Sequence, residues 1–108
     1  MVPIHTKLAA GRWAELSLSE QLANIGSEVT RLAHARRIRD EISSEKALDR
    51  ALELLDLTLK ETKSPGSLFE ISRLREFVCA VVLGGKEYDI DSQSLEDYFL
   101  PFALHPKR

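Results

Sequence analysis

Apolar residues return every three or four positions through most of the chain, and each such run opens on residues suited to begin a helix. From residue 17 onward, Leu22, Ile25, Val29, Leu32 and Ala33 trace one stripe. Ser17-Leu18-Ser19-Glu20 precedes it as a capping box, with the Ser17 hydroxyl accepting an early backbone N–H and Glu20 reaching back. The spacing predicts a first helix over 17–39, ending where the pattern dissolves into Arg39-Asp40-Glu41. Gly26, in its middle, costs about 1 kcal/mol against alanine. It either marks a close approach by another helix or is a tolerated defect.

A second helix is predicted over 44–62. Ala47, Leu48, Ala51, Leu52, Leu55 and Leu59 form one face, which Leu54 and Leu57 widen, so this helix is expected near the centre of the fold. Lys63-Ser64-Pro65-Gly66 breaks it. Ser67-Leu68-Phe69-Glu70 then offers a second capping box, and a third helix is predicted over 67–83. Its buried side is expected to carry Ile71, Leu74, Phe77, Val78, Val81 and Val82, with Gly84-Gly85 as the stop. The β-branched run Val78–Val82 suits a strand by itself, but the upstream period and the cap favour helix.

A fourth helix, over 92–104, begins at Asp91 or Ser92 and presents Leu95, Tyr98, Phe99, Phe102 and Ala103 on one side. Pro101 is expected to kink or break it. Residues 1–16 show no period and read as an irregular arm, with Trp13 and Leu16 folding over the end of the helices. The sum is an all-α chain: one domain over 1–108, a compact antiparallel four-helix bundle with short connections.

Composition narrows the functional classes. The 108 residues are 44% hydrophobic and 30% charged, with 15 Lys and Arg against 17 Asp and Glu, so no global basic excess points to nucleic acid. The one cysteine, Cys79, excludes an internal disulfide and a cysteine zinc site, and its apolar neighbours predict a buried, inert thiol. Residues 1–10 lack a signal-peptide core, and the apolar run Phe77–Leu83 is far shorter than the ~20 residues of a membrane span. A cytoplasmic protein without membrane attachment is expected. A bundle this small has a thin stability margin, so the surplus apolar surface of the second and fourth helices predicts pairing with a copy of itself or another protein.

Several segments carry a resemblance. Ser19–Val29 (SEQLANIGSEV), Arg50–Leu59 (RALELLDLTL), Arg73–Phe77 (RLREF) and Gly84–Tyr88 (GGKEY) resemble a family of small, uncharacterised bacterial helical proteins. That resemblance implies a helical fold and a bacterial source, and no particular reaction.

The polar positions allow three kinds of chemistry. Asn24, Glu28 and Arg31 share one face of the first helix; Arg50, Glu53 and Asp56 are related similarly on the second, and Arg73 and Glu76 on the third. The simplest expectation is a polar network of ion pairs within and between helices, each worth about 0–1 kcal/mol where exposed. Glu53-Leu-Leu-Asp56 is also similar to the second acidic motif of the all-α nucleotide pyrophosphatases, the MazG-like group. That resemblance implies Mg²⁺ held by Glu53 and Asp56, with Glu28 matching the last acid of the first motif, and release of pyrophosphate from a nucleotide. Asn24 stands where that group has a carboxylate, and the preceding acidic pair is missing.

Arg31, Arg36, Arg37 and Arg39, with His34, form a local basic stretch that could meet nucleic-acid phosphates, although cations also suit the C-terminus of a helix and Asp40, Glu41 and Glu45 follow at once. His5, His34 and His105 are scattered and offer no zinc spacing. Tyr88 is expected to anchor the loop after Gly84-Gly85. No complete catalytic set and no cofactor motif stands in the chain. The reading the sequence supports is therefore an oligomerising or protein-binding helical module, with the Mg²⁺ enzyme and the nucleic-acid accessory protein as its alternatives.

Overall fold

A computed structural model describes residues 12–83 and 92–104, the side chains of 81–83, 92, 93, 95 and 103 excepted. A 3₁₀ turn, Trp13–Glu15, precedes four α-helices: α1 (Leu18–Arg37), α2 (Glu41–Glu61), α3 (Pro65–Leu83) and α4 (Ser92–Leu104). Val78–Val82 is helical, so the strand option falls away. The expected stop at Gly84-Gly85, the burial of Val81 and Val82, the positions of Leu95 and Ala103, and the Tyr88 anchor lie outside the described residues, as do His5, His105 and the Asp91 cap.

Helix α1 begins as its sequence dictates. Ser17 accepts from the Glu20 N–H at 3.1 Å and the Glu20 carboxylate accepts from the Ser17 N–H at 3.1 Å, completing the capping box. Its end differs from the expected residue 39. Arg39 takes a left-handed backbone (φ 59°), its N–H bonds to the Arg36 carbonyl, and the Asp40 N–H bonds to the Ala35 carbonyl. That pair of bonds is a Schellman motif, which terminates α1 at Arg37. Asp40 then caps α2 by accepting from the Ser43 N–H, so α2 starts at Glu41, three residues before the expected Ser44.

The third helix also starts early. Pro65 opens α3, and the Leu68 N–H bonds to the Ser64 carbonyl. The box expected at Ser67 gives way because proline at the first helical position already has the right φ and loses no bond there. In α4 the chain does not stop at Pro101 but runs on to Leu104. Phe102, one residue later, packs against the core and holds that last turn in place.

The core joins all of these elements. Leu22, Ile25, Val29 and Leu32 of α1 meet Ala47, Ala51, Leu54 and Leu55 of α2, Ile71, Leu74 and Val78 of α3, and Phe99 of α4. Leu54 is central rather than flanking, and Thr58 is buried beside it. Helix α2 lies between α1 and α3 and receives the 3₁₀ turn, the central place its broad apolar surface predicts; α1 is equally enclosed, between α2 and α4. Among the described residues, α3 and α4 touch only over a short stretch.

Trp13 is tied down rather than loosely folded over. Its side chain is buried, the indole N–H donates to the Thr58 hydroxyl at 3.0 Å, and that hydroxyl donates to the Leu54 carbonyl at 2.9 Å. The Gln21 amide donates to the Trp13 carbonyl at 2.9 Å. Every polar group of this clasp has a partner, which is what permits its burial. Within the arm read as irregular, residues 13–15 thus form a fixed turn.

Candidate functional site

The thin contact between α3 and α4 leaves an apolar cleft. Phe69, Arg73 and Phe77 follow one another on successive turns of α3 and make one wall, with Leu74 below them and Tyr98 of α4 opposite. Its volume is about 330 Å³. Phe69 is 66% exposed, beside the half-buried Phe77 and Tyr98. The Arg73 guanidinium lies 5.8 Å from the Phe69 ring centre and 5.3 Å from that of Phe77, so a cation rests across both rings. Tyr98 donates its hydroxyl hydrogen to the Glu70 carboxylate. Burial and that bond push the phenol's pKa well above its ordinary value. Tyr98 also stacks edge-on to Phe99, with ring centres 5.2 Å apart, which fixes the far wall on the core.

The polar residues singled out by spacing resolve into separate local arrangements. Asn24 is exposed and donates to the Glu20 carbonyl of its own helix at 2.8 Å. Glu28 is buried; one of its oxygens pairs with Arg31 at 2.6 Å, and the other is buried without a hydrogen-bond partner among the described residues. On α2, Arg50 and Glu53 are half-buried, while Asp56 is exposed and accepts from Arg75 of α3 at 2.9 Å. Arg73 stacks on aromatic rings, and Glu76 is exposed. The partners Arg75 and Glu70 were invisible to spacing along one helix, since each of their bonds crosses to another.

The Mg²⁺ reading needs Glu28, Glu53 and Asp56 to act together. Among the described residues, no three of His, Cys, Asp and Glu are gathered as a metal ion requires, and Asp56 is engaged by Arg75. The basic stretch is likewise divided. Arg37 reaches Glu96 of α4 at 3.3 Å, and Arg36 and Arg39 line a hollow together with Glu41 and Glu45. Arg31 and His34 face a different cleft. Cys79 is half-buried rather than fully enclosed. No described helix is long and apolar enough to cross a membrane.

Comparison with family models, with curated proteins and with solved structures finds no match for the chain.

Proposed function

We propose that this protein is a small helical module that works through protein–protein contact, with itself or with another chain, and that the cleft between α3 and α4 is its docking face. The observation that carries this reading is Phe69, left two-thirds exposed beside Phe77, Leu74 and Tyr98 in one apolar cleft. A rim with Arg73 and Glu70 around an apolar centre is the anatomy of a protein interface. We read the four helices as an antiparallel bundle. The three-residue connections 38–40 and 62–64 support this, since so short a link returns the chain alongside the helix it has left.

Sedimentation and light scattering at micromolar concentration test the reading, alone and with cell extract of the source organism. Assembly, or a captured partner, that is lost on Phe69→Asp with the helix content unchanged is the expected result. A wild-type chain that remains a monomer and binds no protein overturns it.

A further inference from the structure

The connection between α1 and α2 builds a second cleft, of about 290 Å³, whose rim is cationic. Arg31 and His34 come from the last two turns of α1, Lys46 and Arg50 from successive turns of α2, and the buried alanines Ala35 and Ala47 form a small floor between them. The linear basic stretch conceals this grouping, because Lys46 and Arg50 lie beyond the Schellman turn and reach Arg31 only through the fold. One carboxylate, Asp40, lines the cleft, and it is already occupied: its two oxygens accept from the Ser43 N–H at 3.0 Å and the Ser43 hydroxyl at 2.7 Å. Glu28 takes one edge of the Arg31 guanidinium and leaves the others. Arg50 is half-buried, yet among the described residues it makes no hydrogen bond and no ion pair. A partly desolvated guanidinium has five donors in a planar fork and calls for an anion with several acceptor oxygens.

The number of donors decides which anion. Three permanent cations, Arg31, Lys46 and Arg50, face the Asp40 carboxylate and the Glu28 carboxylate paired with Arg31, which leaves one net positive charge at the cleft. A carboxylate offers two acceptor oxygens; a phosphate monoester, with three terminal oxygens and a charge between about −1.5 and −2 at pH 7, can take the Arg50 fork, the Lys46 ammonium and the free edge of Arg31 together. We infer that this cleft binds a phosphate monoester, with Arg50 and Lys46 as its main contacts, Arg31 closing the far side and the exposed Ile38 lying against the organic part of the ligand. The inference is independent of the α3–α4 docking face.

The test is a titration of the ¹⁵N-labelled full chain with inorganic phosphate at constant ionic strength, followed by a nucleoside 5′-monophosphate. Saturable shifts confined to the cleft, at Arg31, Ile38, Ser43 through Ala47 and the Arg50 side chain, are expected, tighter for the monoester. Arg50→Ala combined with Lys46→Ala weakens them by about tenfold or more. Arg50→Lys, which keeps the charge but not the fork, gives an intermediate loss, and Arg36→Ala with Arg39→Ala leaves binding unchanged. Unsaturable shifts, equal binding of acetate, or equal binding by the Arg50→Ala/Lys46→Ala protein overturns the inference. So does an oligonucleotide without terminal phosphates that binds as tightly as the monoester, since it offers only diester monoanions.

Discussion

A β-carbon built onto Gly26 would lie 2.7 Å from the Cβ of Phe99 and 3.1 Å from its Cγ. Those atoms sit next to the α4 backbone and cannot swing away, so the close approach, and not tolerance, explains the glycine. Gly26→Ala is expected to lower stability by about 1–2 kcal/mol, the overpacking cost exceeding the gain in helix propensity; a urea titration measures it. Arg39 shows the reverse situation. Its left-handed backbone favours glycine, so Arg39→Gly should raise stability by about 1 kcal/mol in the same titration. At Thr58, valine keeps the shape but strands the buried Trp13 N–H, at a cost of about 1–3 kcal/mol. Gly26 was legible as a question and answered by α4. The Arg39 turn was not legible, because arginine carries no local signal for a left-handed conformation. Thr58 sits 45 positions from its partner, where no periodicity could connect them.

At the scale of the helices, α4 carries the clearest internal conflict. Pro101 is exposed, so it contributes little packing, and it has no N–H to give to the preceding turn. Pro101→Ala is expected to raise the thermal midpoint and the helix content seen by circular dichroism. The pairing of α4 with α3 has its own signature. The folded chain holds the Tyr98 proton above the pKa of about 10 that a free phenol shows in the unfolded chain. This stabilisation is therefore complete below pH ~10 and declines as pH rises past it. Urea midpoints measured across that range should fall less steeply for Tyr98→Phe than for the natural chain. Helix existence and the α1 cap were legible because both are local: a period and a box four residues long. The start of α3 was not, since Pro65 and the Ser67 box compete within three residues and only proline's fixed φ decides between them.

The whole molecule has a Cα radius of gyration of 13.4 Å, close to the ~13 Å of a compact chain of this length. The exposed Phe69 therefore belongs to a compact body, not a loosened one. The two clefts lie on separate parts of it, one across α3 and α4 and one at the α1–α2 turn. Their legibility in the sequence differs for the same reason. Phe69, Arg73 and Phe77 stand four apart on one helix and can be found by counting. The ring of Arg31, His34, Lys46 and Arg50 exists only after a left-handed residue has folded one helix back beside the next.

Trp13 is the chain's single tryptophan, and its indole is sealed beneath the first turn with its N–H bonded to Thr58. The protein thus carries its own optical gauge of that clasp. Undocking of the leading turn would shift the emission to longer wavelength while the ellipticity of the four helices stayed unchanged, so departure of this segment and collapse of the body can be timed separately in one unlabelled sample.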